Sequence, residues 1–261
     1  MRGRTATVLT RRYGAGEPTR VPDQLIVEEP LAIDLDGVLV ATTMRTPGHD
    51  FELAVGYCFT EGLLAGAPVT SCRYCGTGSA VETAFNAVSV ETGGVAPVPT
   101  PRLTPTTSSC GLCGSATLAD LQARLEPLPD GPPFPVEALL EATDKARVEQ
   151  ELFQATGAVH GAAAFDREGT TLVLREDIGR HNAVDKVVGR LLFDGALPAT
   201  GLGLYVSGRA SFEIVQKAWA AGFAAVVAVS APSALAVETA KAAGMQLAGF
   251  VRDDRVNVYT P

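Results

Sequence analysis

The sequence contains no apolar segment that could span a membrane. Its longest apolar run extends from Phe223 to Val229, whereas a membrane-spanning helix needs about 20 apolar residues. The segment from Met1 to Thr7 has arginines but lacks the apolar stretch that a secretory signal requires. These two absences predict a soluble, cytoplasmic protein with no membrane partner.

Positive charge is also scarce. The 21 lysines and arginines are outnumbered by 29 aspartates and glutamates, so the formal net charge is -8 and the pI is about 5.0. A chain with this charge repels nucleic acid and anionic membranes, and neither is an expected partner. An anionic ligand would need a local group of arginines that opposes the overall field.

Cysteine is limited to five residues, four of which form two CxxC pairs. Cys58 lies apart from the pairs, among apolar residues at helical spacing, which indicates a buried position. In a cytosolic chain, such pairs favour metal binding or thiol chemistry over structural disulfides. The pair Cys72 and Cys75 could form a four-cysteine zinc site with the pair Cys110 and Cys113, because tetrahedral zinc sites use such pairs.

The second CxxC pair is the more informative because of its surroundings. Cys110 and Cys113 follow a Pro- and Thr-rich run over residues 101–108, and glycines flank them. We therefore expect an exposed loop rather than a packed element. A cysteine reacts as its thiolate, and a CxxC environment can lower the thiol pKa from its free value of about 8.5. Sulfur chemistry is the first functional hypothesis.

The first part of the chain predicts a small α+β lobe. Residues 31–40 alternate around Asp36-Gly37 as a hairpin does. A helix should follow, in which Phe51, Val55 and Phe59 share one face.

The second part predicts a larger α/β lobe. A helical pattern covers residues 136–153, and short apolar strands then alternate with helices to the end of the chain. This order favours a mostly parallel sheet that is covered on both faces. Pro-rich breaks near residues 92–109 and 127–135 place the boundary between lobes of residues 1–125 and 126–261.

Two polar segments follow strands of the predicted sheet. Residues 175–186 hold seven charged or imidazole side chains at the start of a helix, and residues 207–211 repeat the arrangement after the next strand. Open α/β sheets bind ligands at the carboxyl ends of their strands, so both segments are candidate sites. Small residues, a helix N-terminus and Arg209 could hold a phosphate at the second segment. The alternative for the first segment is a solvated helix N-terminus with an Asx cap.

Five segments of the chain together form a distinctive set. They are SSCGLCG, EDIGRHNAVDK, SGRASFE, VSAPSALAVETA and GFVRDDRVNVYT. With these motifs the chain resembles the FdhD family of formate dehydrogenase accessory sulfurtransferases, and the likeness extends from Arg45 to Thr260. The resemblance implies a homodimer in which a small α+β lobe accompanies a larger three-layer α/β lobe of cytidine-deaminase-like fold.

The resemblance also implies an activity. The protein would accept sulfur as a cysteine persulfide from a cysteine desulfurase. It would then transfer that sulfur to the bis-molybdopterin guanine dinucleotide cofactor, which is afterwards inserted into the formate dehydrogenase apoenzyme. Cys110 would carry the persulfide, and Cys113 would stabilise its thiolate or attack the persulfide. The family's cofactor-binding segment matches Phe250, Val251, Arg252, Asp253, Asp254 and Arg255.

Four further residues complete the expected cofactor site. We expect Ser207 and Arg209 to lie near a phosphate, because arginine's planar fork suits phosphate. Asp177 and His181 should organise the site rather than attack a substrate, and His181 can titrate near neutral pH.

Other functions fit parts of the sequence. A chaperone that holds the cofactor without chemistry would tolerate the loss of Cys110. A zinc protein would need Cys72 and Cys75, which no family motif covers and which we interpret as structural and dispensable; we expect no bound metal. A zinc deaminase is disfavoured because His160 lies downstream of the CxxC pair and lacks the glutamate of an H-x-E motif. A thioredoxin-like oxidoreductase is also disfavoured, because its CxxC would open a helix after a strand. Cys110 and Cys113 instead follow a Pro- and Thr-rich run.

Overall fold

The computed structural model describes residues 3–14, 16–74, 80–81, 83–99 and 124–261. Its strands are β1 (Thr5–Arg12), β2 (Thr19–Ile26), β3 (Glu29–Leu35), β4 (Val38–Arg45), β5 (Ser71–Arg73), β6 (Ala87–Glu91), β7 (His160–Phe165), β8 (Thr171–Asp177), β9 (Gly203–Val206), β10 (Ala225–Ala228), β11 (Gln246–Arg252) and β12 (Arg255–Thr260). Its helices are α1 (Asp50–Thr60), α2 (Val136–Glu149), α3 (Glu151–Thr156), α4 (Arg180–Phe193), α5 (Phe212–Ala221) and α6 (Ala234–Ala243).

The smaller lobe is built on a four-stranded sheet with the order β4-β3-β6-β5. Asp36 and Gly37 turn β3 into β4 with positive φ angles of 47° and 81°, as the Asp-Gly sequence predicts. Helix α1 covers the sheet with its apolar face, and Cys58 is fully buried there, which confirms its predicted position. Strands β1 and β2 form a separate antiparallel hairpin whose side chains are largely exposed.

The larger lobe is built on a six-stranded sheet with the order β12-β11-β10-β9-β7-β8. Only β9–β10 and β10–β11 pair in parallel, whereas β7–β8, β7–β9 and β11–β12 are antiparallel. The expectation of a mostly parallel sheet is therefore wrong. A short strand that is buried on both faces has the same apolar pattern whichever way its neighbour runs, so the pattern did not reveal the direction.

Helices cover both faces of this sheet and give the lobe its three layers. Helix α2 lies on one face, where Leu139 and Ala146 pack with Tyr205. Helices α4, α5 and α6 lie on the other face, with Leu204 and Val226. Burial of one such leucine contributes about 1.5–3 kcal/mol. The predicted combination of a small α+β lobe with a larger three-layer α/β lobe is confirmed, while the boundary between residues 125 and 126 stays a prediction.

One predicted helix is divided. Residues 136–153 were expected to be continuous, but α2 ends at Glu149 and α3 begins at Glu151. Gln150 between them has a ψ of 78°, outside the helical region. The chain therefore changes direction here, and this change exposes the amino-terminal end of β7 to a cleft.

Within the described residues, no helix has the length and apolar character that crossing a membrane requires.

The lobes meet where α1 crosses α4, at two glycines. A Cβ atom on Gly56 would lie 1.8 Å from the carbonyl oxygen of Asp185, and a Cβ atom on Gly189 would lie 1.9 Å from the carbonyl oxygen of Glu52. Both distances are far below van der Waals contact, so each position requires glycine for this close approach of the two backbones.

Candidate functional site

A cleft of about 500 Å³ opens at the carboxyl ends of the parallel strands. Strand β9 contributes Tyr205 and, just beyond its end, Ser207. Val229 follows β10 and Arg252 ends β11, so all three strands contribute to the lining. The opposite, helical side of the cleft comes from α2, α3 and the segment that leads into β7. It contributes Arg147, Gln150, Phe153, Gly157, Ala158, Val159 and His160. The edge of the sheet at which the sequence predicted a ligand therefore has a cleft.

The floor of the cleft is polar and buried. The Nε2 atom of Gln150 donates to the Tyr205 hydroxyl at 3.3 Å, and both residues are at most 2% exposed. A Cβ atom on Gly161 would lie 2.3 Å from Gln150 Oε1, so the amide occupies space that only a glycine at position 161 leaves open. Burial raises the pKa of Tyr205 to about 12, despite the hydrogen bond from Gln150 and the charge of Arg147. The floor is therefore neutral.

The rim of the cleft is positively charged. Arg147 and Arg252 line it and are exposed, and neither forms an ion pair with any of the residues that the structure describes. Arg180 and Arg209 lie close enough to the lining residue His160 for their charges to act on it. Two arginines thus line the cleft, and the charges of two others act on a third lining residue, in a chain whose net charge is -8. This is the local positive group that an anionic ligand would need.

His160 supplies a neutral imidazole at this rim. Burial lowers its pKa, and the charges of Arg180 and Arg209 lower it further against the opposing effect of Asp177. The ring lies beside Gly208, where a Cβ atom would be 3.4 Å from His160 Nδ1. At neutral pH this histidine can therefore donate or accept a hydrogen bond without adding a charge.

Ser207 joins two strand ends at the same place. Its Oγ atom accepts a hydrogen bond from the backbone N–H of Gly161 at 2.9 Å, and its own backbone N–H donates to the carbonyl oxygen of Gly161. Helix α5 begins five residues later, with Ser211 as its N-cap and no side-chain capping bond. Arg209 is exposed between them. The segment therefore combines small residues, a helix N-terminus and an exposed arginine, and phosphate binding there stays a prediction.

The C-terminal segment forms the hairpin between β11 and β12. Asp253 and Asp254 are its two turn residues, and Asp253 has a φ of 54°, which aspartate tolerates in turns better than most residues do. Turn geometry therefore accounts for the two adjacent aspartates. Arg252 lies opposite Arg255 in the hairpin, and of these two only Arg252 lines the cleft.

Phe250 and Val251 precede this turn and differ sharply in their surroundings. Val251 is buried in the core between the sheet and α2. Phe250 is 50% exposed and has a φ of 54°, at an irregular register between β11 and β12. A non-glycine residue in this region of backbone space is strained, and such strain is concentrated at ligand-binding positions. Phe250 does not line the cleft, and its contact with a ligand stays a prediction.

Asp177 is held in a buried network between the lobes. Its Oδ2 atom lies 2.6 Å from Lys186 Nζ and accepts from the backbone N–H of Thr46 at 3.1 Å. Its Oδ1 atom accepts from the backbone N–H of Gly179 and from Asn182. Both Asp177 and Lys186 are fully buried. The alternative of a solvated helix N-terminus with an Asx cap is therefore wrong, and Gly179 occupies the N-cap position.

His181 lies on the side of α4 that faces α5. Its Nε2 atom is 3.9 Å from Glu213 Oε2, which is longer than a hydrogen bond. Burial and the positive charges of Arg180 and Lys217 lower the pKa of His181 to about 4. The expectation that His181 titrates near neutral pH is therefore wrong, because the sequence gave no sign of its burial or of its proximity to Lys217.

The structure adds residues that the sequence motifs did not indicate. Arg147, Gln150 and Tyr205 line the cleft but belong to no motif, and each has an ordinary place in an amphipathic pattern. Asp177 is held by Thr46, which lies 131 residues before it, and by Lys186 in the helix that follows it. In the sequence, the segment around Thr46 indicated only where the family resemblance begins.

The cysteines divide between described and undescribed residues. Cys110, Cys113 and Cys75 lie outside the described residues, and with them three of the four cysteines of the predicted zinc site. Cys72 is half-buried on β5, and burial raises its pKa to about 12, so its thiol is not activated. Among the residues that the structure describes, no group of three or more His, Cys, Asp and Glu side chains is arranged to bind a metal ion.

Comparisons with known proteins agree with the motifs. The sequence model of the FdhD/NarQ family matches residues 26–261. The chain is 45% identical over 253 residues to the sulfur carrier protein FdhD of Mycolicibacterium paratuberculosis, covering 94% of this chain and 93% of that protein. It is 46% identical over 257 residues to the protein of the same name from Streptomyces coelicolor, covering 95% and 91%. A crystal structure of a formate dehydrogenase accessory protein from Desulfotalea psychrophila matches with a TM-score of 0.78 at 23% identity, over 99% of this chain and 98% of that one, and therefore shares the fold.

Proposed function

The chain belongs to the FdhD/NarQ family, and on this premise we propose that it is a sulfur carrier in the maturation of formate dehydrogenase. Cys110 accepts sulfur as a persulfide. Its thiolate attacks the terminal sulfur of a persulfide on a cysteine desulfurase, the donor's S–S bond breaks, and the donor cysteine leaves as a thiolate. Cys113 stabilises the Cys110 thiolate. When no acceptor is present, its thiolate instead attacks Sγ of the Cys110 persulfide, which forms a Cys110–Cys113 disulfide and releases hydrosulfide.

The acceptor in this proposal is the bis-molybdopterin guanine dinucleotide cofactor, which is cargo for the formate dehydrogenase apoenzyme. The observation that carries its placement is the arginine-rimmed cleft at the carboxyl ends of β9, β10 and β11. Arg252 and Arg209 bind its phosphates beside Ser207, because charge-assisted hydrogen bonds to phosphate are among the strong ones. Phe250 offers a face for a heterocycle, and Arg255 reaches the ligand from the neighbouring strand.

The site is organised by groups that do not react. Asp177 fixes the start of α4 through Gly179 and Asn182, which places Arg180 near His160. His181 is neutral and supports the packing of α4 on α5. The partners in this proposal are the desulfurase, the apoenzyme and a second copy of the chain as a homodimer.

A cofactor-binding chaperone is the second candidate, because an arginine-rimmed cleft could hold a phosphorylated cofactor without transferring sulfur to it. The two functions differ in what happens to sulfur. A chaperone without chemistry would restore formate dehydrogenase activity even as the variant Cys110→Ala.

The test is intact-mass and peptide mass spectrometry after incubation with a cysteine desulfurase and cysteine. The sulfur carrier should gain about 32 Da on the peptide that contains Cys110, because the thiolate is the acceptor of sulfur. The variant Cys72→Ser is the matched control and should gain the same mass, while Cys110→Ala should not. Sulfur found only on Cys113 or Cys72 would contradict the assignment.

A further inference from the structure

We infer that Arg147 binds a phosphoryl group in the cleft, from the side opposite Arg252, and makes the cleft selective for phosphorylated ligands. The inference rests on the proposed function, because that function places a phosphorylated cofactor here. Arg147 lies outside all of the sequence motifs and was not among the expected site residues.

The position of Arg147 separates it from the acidic residues that follow it. Arg147 lies in the last turn of α2 and lines the cleft. Val148, Glu149 and Glu151 instead line a different cavity of about 450 Å³ between the lobes, with Arg175. Residues one or two positions apart on a helix do not share a face, so α2 presents Arg147 to the cleft and keeps Glu149 on another surface.

The charge of Arg147 acts inside the cleft. It influences the hydroxyl of Tyr205 on the floor. Arg147 and Arg252 are both exposed, and no described carboxylate pairs with either of them. Both guanidinium groups can therefore bind an anion in the cleft. The guanidinium fork can form two parallel hydrogen bonds to a phosphate, which suits a ligand held between Arg147 and Arg252.

A structural role is the alternative explanation for Arg147. A cation in the last turn of a helix interacts favourably with the helix dipole. That role would not depend on a ligand. Lys145 on the same helix offers a matched control, since its Nζ atom is 2.9 Å from Glu141 Oε1 and it does not line the cleft.

The test is isothermal titration calorimetry of the full-length protein with guanosine, GDP and inorganic pyrophosphate. Arg147→Gln should weaken the binding of GDP and of pyrophosphate about tenfold, because one charge-assisted hydrogen-bonding group is lost. Guanosine, which has no phosphate, should bind Arg147→Gln and wild type equally. The affinity of Arg147→Lys for GDP and for pyrophosphate should lie between those of Arg147→Gln and wild type, since lysine keeps the charge but lacks the fork. Lys145→Gln should bind all three ligands as the wild type does.

The outcomes separate this inference from the proposed function. Unchanged GDP and pyrophosphate binding by Arg147→Gln would overturn the inference and leave the proposed cofactor site in place. An equal loss of affinity for guanosine would also overturn the inference, because the role of Arg147 would then be structural. If wild type binds pyrophosphate through Arg147 but binds GDP no more tightly than pyrophosphate, the inference stands and the guanine dinucleotide is the wrong ligand. If wild type binds neither compound, both proposals are wrong.

Discussion

Arg175 on β8 binds Glu52 on α1 through two hydrogen bonds, from Nε at 2.5 Å and from Nη2 at 2.8 Å. The pair joins the larger lobe to the smaller one. His49 lies 3.3 Å from the same carboxylate. Burial by itself would raise the pKa of Glu52, but the hydrogen bonds and charges of Arg175 and His49 lower it to about 2.

This ion pair should make stability depend on acid pH. The carboxylate is favoured in the folded state, so its contribution is present above the unfolded pKa of 4.5 and is lost as pH falls towards about 2. Glu52→Gln should lower the free energy of unfolding at pH 7 by about 1–3 kcal/mol, because Arg175 loses a charged partner. Urea unfolding from pH 7 to pH 3 measures this, and the difference from wild type should shrink with acidification. A difference independent of pH would contradict the assignment.

The crossing of α1 and α4 should not tolerate a side chain at Gly56. Gly56→Ala places a methyl group against the Asp185 carbonyl oxygen and forces the helices apart, so we expect a loss of about 3 kcal/mol. Gly131→Ala is the control, because a Cβ atom there meets no other atom within 4 Å. It should change the free energy of unfolding by less than about 0.5 kcal/mol. Equal effects in chemical denaturation would show that the close contact is not formed.

His181 should stay neutral well below neutral pH. Its pKa is about 4 in the folded protein, compared with about 6.5 for an exposed histidine. Its proton is therefore bound more tightly in the unfolded state, and this residue lowers stability as pH falls from about 6.5 to 4. NMR titration of the imidazole measures the pKa directly, with His181→Gln identifying the signal. A midpoint near 6.5 would place the ring in solvent.

The buried pair of Asp177 and Lys186 should be sensitive to the loss of one partner. Lys186→Met leaves the Asp177 carboxylate buried without its cation, which should cost about 3–5 kcal/mol. The double variant Asp177→Asn with Lys186→Met removes both charges and should recover part of that loss. Thermal unfolding of both variants and the wild type measures the coupling. If the two variants are equally unstable, the pair does not interact as described.

The local features of the fold followed from the sequence. Asp36-Gly37 fixed a hairpin, and the spacing of Phe51, Val55 and Phe59 fixed α1, because turn chemistry and helical periodicity act between close neighbours. The motifs identified the family, and the strand ends at Ser207 and Arg252 indicated the side of the sheet that holds the cleft. These inferences needed no knowledge of which distant residues meet.

Only the tertiary structure decided what depends on distant contacts. The directions of β7 and β12 were hidden because buried strands have the same apolar pattern in either direction. The pKa of His181 and the burial of Asp177 with Lys186 depend on solvent exclusion by the other lobe, which no local pattern encodes. Arg147 and Arg252 are 105 positions apart along the chain, and they share a cleft because α2 packs on the sheet that contains β11. Their meeting is a property of that packing, since charge and spacing along the chain carry no information about it.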